Sequence, residues 1–213
     1  MTAHRLIVWR HGRTQWNATG KFQGQADIPL DEQGLEQAAV AAKVLALYQP
    51  SAIVASDLVR ARATAAPLAE LTGLDVSLDK RLREIHVGTW EGLTAEQVAA
   101  LEPDRARRYF AGEDIRRSET GETVAEVAVR VAAAMEEAAE AAPEGSTVVV
   151  VMHGLAGRVG VCRLVGLPAD SWNRLGGMHN CGWIVVQRHR RGGYWRIEEY
   201  NVAGASEVRD PIS

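Results

Sequence analysis

The chain has 213 residues, which is long enough to bury a substantial core and fits a single domain. Its net charge of −3 argues against nucleic acid or an anionic membrane as the main partner, but does not exclude a small cationic pocket. The apolar stretches are strand-sized, the first dozen residues contain no signal-peptide segment, and Cys162 and Cys181 do not suggest a disulfide framework. We therefore expect a cytoplasmic enzyme or binding protein without a membrane span.

Short apolar runs alternate with helix-like segments, and the runs are rich in β-branched residues. This order is typical of an α/β protein with a mostly parallel sheet that is buried on both faces. Asp31 is placed to cap a helix, and Gly73 is placed to end one. The elements predicted for the first half are a strand at 6–9, a loop to about 30, a helix at 31–48, a strand at 53–55, a helix that follows a turn at 56–57 and ends at 71, and a strand at 76–78.

The second half begins with a less regular stretch, and we expect a small cap-like segment at about 85–121 inserted in one domain over 1–213. Two pairs, Thr94 with Gln97 and Thr123 with Glu126, have the spacing of capping boxes. The elements predicted after the second box are a long helix, a strand at 147–152, a helix closed by Gly166, and a hairpin with strands at 184–187 and 194–199.

A His-Gly step occurs twice, each time directly after a predicted strand. His11 precedes Gly12 after the first strand, and His153 precedes Gly154 after the strand at 147–152. In open α/β sheets, ligands bind beyond the carboxyl ends of the strands. We therefore expect both imidazoles to face one crevice, where one could attack a substrate while the other stabilises it.

Two arginines and one carboxylate are candidates for the same crevice. Arg10 precedes His11, Arg60 starts the helix after the second strand, and Glu84 lies in the irregular segment RLREIHVGTWEGLT. A guanidinium group can bind two phosphate oxygens at once in a bidentate contact, and a neutral imidazole can attack phosphorus. A carboxylic acid can protonate the departing alkoxide and later activate water. Glu84 would then have to carry a proton at first, which burial or an anionic neighbour would favour.

Other phosphate and metal chemistries lack their signatures here. The chain contains no GxxxxGK[ST] loop, no GxGxxG opening a first βαβ unit and no HExxH. His11, His153 and Glu84 could in principle ligate a divalent ion, but Arg10 and Arg60 would repel it. We therefore expect neither a metal nor a cofactor.

Four segments resemble the signature blocks of the histidine phosphatase superfamily, which has the phosphoglycerate-mutase-like fold. They are RHGRTQWN at 10–17, SDLVRARATA at 56–65, LREIHVGTWEGLT at 82–94 and VVVVMHG at 148–154, in the right order. The resemblance implies a three-layer α/β/α sandwich, with His11 as the residue that becomes phosphohistidine and Glu84 as the proton donor. It also implies that the substrate is bound by Arg10, Asn17, Gln23, Arg60, His153 and Leu155.

We predict a metal-independent phosphatase that acts on a small phosphorylated metabolite, with a phosphorylated sugar–glycerate ester as the leading substrate. One alternative is a phosphoglycerate mutase, and another is a catalytically silent protein that binds a phosphorylated ligand. Mutases of this fold hold the far end of the substrate with an arginine pair ahead of a long helix. Relatives often pair, so a homodimer is compatible with the resemblance.

Several residues have simpler interpretations. Arg116 and Arg117 form an arginine pair, but SETGET follows them, and we interpret the pair as a solvated surface of the cap. Arg83 next to Glu84 could be an ordinary surface ion pair. We interpret His179 and Cys181 as packing residues.

Overall fold

The computed structural model describes residues 2–204 and confirms the predicted α/β fold. Within that range the strands are β1 (Arg5–Arg10), β2 (Ala52–Ala55), β3 (Val76–Leu78), β4 (Thr147–Met152), β5 (Trp183–Arg188) and β6 (Trp195–Val202). They form one sheet in the order β3-β2-β4-β1-β5-β6. The first four strands in that order are parallel to one another, whereas β5 and β6 are antiparallel to their neighbours. The sheet is therefore mixed and mostly parallel, as predicted.

Helix starts follow the capping signals of the sequence. The side chains of Asp31, Thr94 and Thr123 each accept a hydrogen bond from a backbone amide of the first turn, and Gly73 ends its helix with a φ of 70°. The helices are α1 (Gln15–Ala18), α2 (Glu32–Ala46), α3 (Val59–Thr72), α4 (Ala95–Leu101), α5 (Pro103–Phe110), α6 (Val124–Ala141) and α7 (Gly154–Leu164).

The two faces of the sheet are covered by different helix pairs. Along β1, Ile7 and Trp9 belong to the apolar cluster that contains residues of α2 and α3. Leu6 and Val8 belong to the cluster that contains residues of α6 and α7. Because both faces are buried, the strand carries apolar residues throughout. The result is the three-layer α/β/α sandwich that the family resemblance implied.

Strand pairing brings the two His-Gly steps together. β1 and β4 are parallel neighbours, and Arg10 is in register with Met152. His11 and His153 are the next residues, so both leave the sheet at the same edge. The two imidazoles therefore stand at adjacent strand ends, but only His11 lines the cavity there, and His153 is fully buried behind it.

Two stretches are more regular than expected. The loop to residue 30 contains α1, which starts with a capping box between Thr14 and Asn17. The stretch at 81–121 contains α4 and α5, and Tyr109 of α5 packs edge-on against Phe22 and Trp90. Sequence periodicity missed these helices because none is longer than eight residues. Between residues 2 and 204, no helix has the length and hydrophobicity needed to cross a membrane.

Candidate active site

A cavity of about 240 Å³ contains His11, which follows β1, and Gly154, which follows His153 at the end of β4. His153 itself is fully buried, and its ring centroid is 5.2 Å from that of His11. The predicted site residues that line the cavity are Arg10, His11, Asn17, Gln23, Arg60, Glu84 and Leu155.

His11 has the tautomer that a nucleophile needs. Its Nδ1 lies 2.7 Å from the carbonyl oxygen of Gly12. Because a carbonyl can only accept, Nδ1 carries the proton and Nε2 carries the lone pair. Burial, followed by the positive charges of Arg60 and Arg10, lowers the pKa of His11 well below its usual value. The ring is therefore neutral at pH 7.

His153 has the opposite tautomer. Its Nδ1 accepts a hydrogen bond of 3.2 Å from Nε of Arg60, so Nε2 carries the proton and donates to Oγ of Ser56 at 2.9 Å. Burial and the charge of Arg60 also lower the pKa of His153 well below its usual value. Both ring nitrogens therefore bond to protein groups, and the ring holds Arg60 in place.

The two predicted arginines are anchored by backbone carbonyls. Arg60 is fully buried, with Nη1 donating to Ala26 at 2.7 Å and Nη2 donating to Gly24 at 2.8 Å. Burial lowers the pKa of Arg60 to about 10, so the guanidinium stays charged at pH 7. Arg10 donates from Nη1 to the carbonyl of Met178. Each anchored cation is thus fixed before a ligand binds.

Glycines allow the backbone to approach these groups closely. A Cβ atom on Gly154 would lie 3.1 Å from Nε of Arg10. A Cβ atom on Gly12 would lie 2.4 Å from the carbonyl oxygen of Gly34, at the start of α2. Gly12 is therefore required by packing against the backbone of Gly34, whereas a side chain on Gly154 would displace the guanidinium of Arg10 slightly.

The carboxylate of Glu84 lies at the N-terminus of α7. Its Oε1 accepts from the amides of Ile85 at 2.9 Å and Ala156 at 3.0 Å, and its Oε2 accepts from the amide of Leu155 at 3.2 Å. The side chain is half-buried among amide donors. Arg83 pairs with Asp57 at 2.6 Å, so the alternative of a surface pair between Arg83 and Glu84 is wrong.

Polar side chains hold the loop after β1. Thr14 Oγ1 lies 3.1 Å from Oδ1 of Asn17 and 3.0 Å from Oε1 of Gln23. Asn180 donates from Nδ2 to the carbonyl of His11 at 3.1 Å and to Oδ1 of Asn17 at 3.2 Å. These contacts fix the amides of Asn17 and Gln23 beside the cavity.

The interpretation of Arg117 as a solvated residue is wrong. Arg117 is 6% exposed, lines the cavity and stacks on Tyr109, with 4.5 Å between Cζ and the ring centroid. Burial lowers the pKa of Arg117. Arg116 does lie at the surface, where it pairs with Glu126. The next residue, Ser118, has a φ of 60° and begins a turn at 118–120.

Further residues of the cavity were missed in the sequence. Arg158 stands four residues after Gly154 on α7, a spacing that puts both on one helix face and could have identified it. Its Nη1 donates to Leu175 at 3.1 Å, and its Nε is buried without a hydrogen-bonding partner in the described part of the chain. His179 is half-buried and Cys181 is buried, in agreement with a packing role.

A second cavity of about 700 Å³ adjoins the first. Tyr109, Arg117, Leu155 and Arg158 line both cavities. Trp172 also lines the second cavity, so this cavity has an aromatic side as well as a cationic side. Within residues 2–204, neither Arg117 nor Arg158 forms an ion pair with a carboxylate.

Comparisons with known proteins agree with this geometry. The chain is 38% identical over 227 residues to the glucosyl-3-phosphoglycerate phosphatase of Mycolicibacterium vanbaalenii, covering 100% of both. It is 38% identical over 177 residues to a probable phosphoglycerate mutase GpmB of Enterobacter sp., covering 83% of this chain and 81% of the relative. The structure of mycobacterial glucosyl-3-phosphoglycerate phosphatase with VO3 superimposes with a TM-score of 0.86 at 39% identity, covering 94% of this chain and 100% of that chain.

The family model for the histidine phosphatase superfamily (branch 1) matches residues 6–203. That match takes in both strand-end histidines and nearly all of the described chain. The chain therefore belongs to the histidine phosphatase superfamily.

Proposed function

We propose that this protein is a phosphatase that hydrolyses a small phosphorylated metabolite through a phosphohistidine at His11. The state of His11 is the observation that carries the proposal. Its ring is neutral, its Nδ1–H donates to Gly12, and its Nε2 has no hydrogen-bonding partner among residues 2–204. A buried imidazole with an available lone pair between two guanidinium groups is suited to attack a phosphate ester.

In the first step, the Nε2 lone pair of His11 forms a bond to phosphorus while the bond from phosphorus to the ester oxygen breaks. The proton of Glu84 passes to the departing alkoxide, which leaves as an alcohol. The amides of Ile85 and Ala156 hold the Glu84 carboxyl at the N-terminus of α7, beside the cavity that it lines.

In the second step, a water molecule attacks phosphorus and the bond to Nε2 breaks. Glu84, now a carboxylate, accepts the proton of that water and returns to its starting state. Phosphate leaves, and His11 is neutral again with its proton still on Nδ1. The bond changes and proton transfers of the cycle therefore balance with these two side chains and water, and we include metal independence in the proposal.

Arg10, Arg60 and His153 are proposed to stabilise the charge on the transferred phosphoryl group. Arg60 uses three N–H groups on protein partners, which leaves two of its five for phosphate oxygens. His153 supports this role by bonding to Nε of Arg60. Fixed cations of this kind stabilise the transition state without reorganising.

We propose that the leaving group extends into the second cavity and that the substrate is glucosyl-3-phosphoglycerate. That ester joins a phosphate, a carboxylate and a hexose. The first cavity, at about 240 Å³, is smaller than usual ligand pockets of about 300–1,000 Å³, whereas the second holds about 700 Å³. Arg117 and Arg158, which have no carboxylate partner within residues 2–204, are placed to bind the carboxylate of the glycerate.

The segment at about 85–121 is proposed to be the cap that selects this leaving group. It supplies Tyr109 and Arg117 to both cavities. A cap of this kind sets specificity through contacts beyond the phosphate, while His11 and Glu84 perform the chemistry.

The test is release of phosphate, with EDTA present, from glucosyl-3-phosphoglycerate, 3-phosphoglycerate, phosphoserine and sugar phosphates. Isomerisation between 2- and 3-phosphoglycerate is followed in parallel. We expect strong release from the glucosyl ester and loss of nearly all turnover in His11→Ala, with His189→Ala as the matched control on the β5–β6 turn. Near-native turnover in His11→Ala would refute the mechanism, and isomerisation without release would assign a mutase.

We further propose that the enzyme is cytoplasmic, acts as a homodimer and does not act on nucleic acid. Cys162 and Cys181 are both free and buried, which suits a reducing compartment. Light scattering coupled to gel filtration measures the mass directly, and a mass of one chain, 23.1 kDa, would refute the dimer.

A further inference from the structure

The segment that carries Glu84 is tied to α6 by one arginine. Arg130 lies two turns into α6, and its Nη1 donates to the carbonyls of Arg81 at 2.6 Å and Arg83 at 2.7 Å. Its Nη2 donates to the carbonyl of Glu84 itself at 3.0 Å. One guanidinium therefore satisfies three carbonyls of the segment that ends at the proposed proton donor.

Glu122 completes the connection on the far side of Glu84. Its carboxylate accepts from Arg130 Nε at 2.8 Å and Nη2 at 2.7 Å, and from the amide of His86 at 2.8 Å. The amide of Glu122 donates in turn to the carbonyl of His86 at 2.8 Å. Burial alone would raise the pKa of Glu122, but Arg130 and the His86 amide outweigh it and hold that pKa below its usual value.

The contact depends on a glycine. A Cβ atom on Gly121 would lie 1.6 Å from the carbonyl oxygen of Arg117 and 2.7 Å from that of His86. Only glycine lets the backbone at 117–122 lie this close to the Glu84 segment. The Glu84 backbone is thus held at residues 81, 83, 84 and 86 by groups on one side, while its carboxylate meets the amides of α7 on the other.

We propose that Arg130 and Glu122 are positioning residues that set the place of the Glu84 carboxyl relative to His11. The inference rests on the proposed role of Glu84 as proton donor. Neither side chain lines the cavity that holds His11, so they act through Glu84. A proton donor needs its position fixed to within fractions of an ångström, and this ion pair supplies the rigid connection.

The test compares two esters that differ in their need for a proton donor. A nitrophenolate leaves p-nitrophenyl phosphate without protonation, whereas the alkoxide that leaves 3-phosphoglycerate or glucosyl-3-phosphoglycerate must receive a proton. Since Glu84 also acts in the second step, which both esters share, the comparison uses kcat/KM, which reports only the transfer to His11. In Glu84→Gln, we expect kcat/KM for the alkyl ester to fall by about 10²- to 10⁴-fold and kcat/KM for the nitrophenyl ester to fall far less. Arg130→Gln and Glu122→Gln should give the same selective pattern, at about tenfold to a hundredfold.

Two controls separate positioning from stability. Arg81→Gln removes an arginine on the same segment that pairs with Glu137 of α6 at 2.7 Å, and it should leave the ratio of the two kcat/KM values unchanged. Arg130→Lys should restore part of the alkyl-ester activity. In the double variant Glu84→Gln with Arg130→Gln, the second change should add little to the first.

The outcomes distinguish this inference from the proposed function. No turnover by the wild-type enzyme, or equal losses of kcat/KM on both esters in Glu84→Gln, would refute the proposed function and this inference with it. A selective loss of kcat/KM in Glu84→Gln with equal losses of kcat/KM on both esters in Arg130→Gln would refute only the positioning role. Losses that multiply in the double variant would refute it as well.

Discussion

Replacing Gly154 with alanine should separate activity from stability. The new Cβ would lie 3.1 Å from Nε and 3.3 Å from Cζ of Arg10, so the guanidinium must move by a few tenths of an ångström. Because a misplacement of 1 Å costs on the order of a hundredfold, we expect kcat/KM to fall about threefold to tenfold. Gly154 is the first residue of α7, where alanine is favoured over glycine by up to about 1 kcal/mol, which offsets the contact cost.

The free energy of unfolding should therefore stay within about 1 kcal/mol of wild type while activity falls. Urea unfolding measures the stability, and initial rates with competitive inhibition by inorganic phosphate measure the phosphate site, whose inhibition constant should rise by a similar factor. Gly176→Ala is the matched control, because its Cβ would meet nothing within 4 Å. Unchanged kcat/KM and unchanged phosphate inhibition in Gly154→Ala would refute the claim that the close approach of Gly154 sets the position of the Arg10 guanidinium.

Three other predictions follow from the site. Folding lowers the pKa values of His11 and His153, so below about pH 6.5 the unfolded chain binds more protons than the folded one. The free energy of unfolding should therefore decrease as the pH is lowered, and a urea midpoint that stays constant between pH 7 and 5 would contradict this. Gly12→Ala should destabilise the fold by about 1–3 kcal/mol in thermal or urea unfolding, because its Cβ would lie 2.4 Å from the carbonyl oxygen of Gly34; wild-type stability would contradict it. Arg117→Gln should raise KM for esters with a carboxylate in the leaving group about tenfold and leave KM for p-nitrophenyl phosphate unchanged, so equal changes on both would contradict the proposed subsite.

Much of the fold and the chemistry was predictable because it depends on local signals. Buried strands need continuous apolar runs, and helix starts need a side-chain acceptor such as Asp31, so both could be placed from the sequence. The convergence of His11 and His153 followed from a general property of parallel sheets, in which strand ends share an edge. These inferences did not require knowledge of distant contacts.

The rest depended on tertiary contacts that local patterns do not encode. Arg116 and Arg117 are neighbours in sequence with opposite surroundings, because Arg117 finds the ring of Tyr109 while Arg116 pairs at the surface. Asn180 reaches His11 from a C-terminal loop, next to Cys181 with a φ of 54°. Side-chain direction in such irregular segments is decided by what packs against them, and sequence spacing carries no such information.

The two histidines acquire different chemistry from the type of partner that each meets. A carbonyl at Nδ1 of His11 can only accept a hydrogen bond, whereas the guanidinium at Nδ1 of His153 can only donate one. The lone pair is therefore on Nε2 in His11 and on Nδ1 in His153, although both follow parallel strands in the same way. Since the two partners are a backbone carbonyl and an arginine that is always charged at pH 7, the difference persists across the range where both rings are neutral. Of the two histidines, only His11 can then present a nucleophilic nitrogen to the cavity. Nitrogen NMR of the two rings would contradict this if both gave the same tautomer.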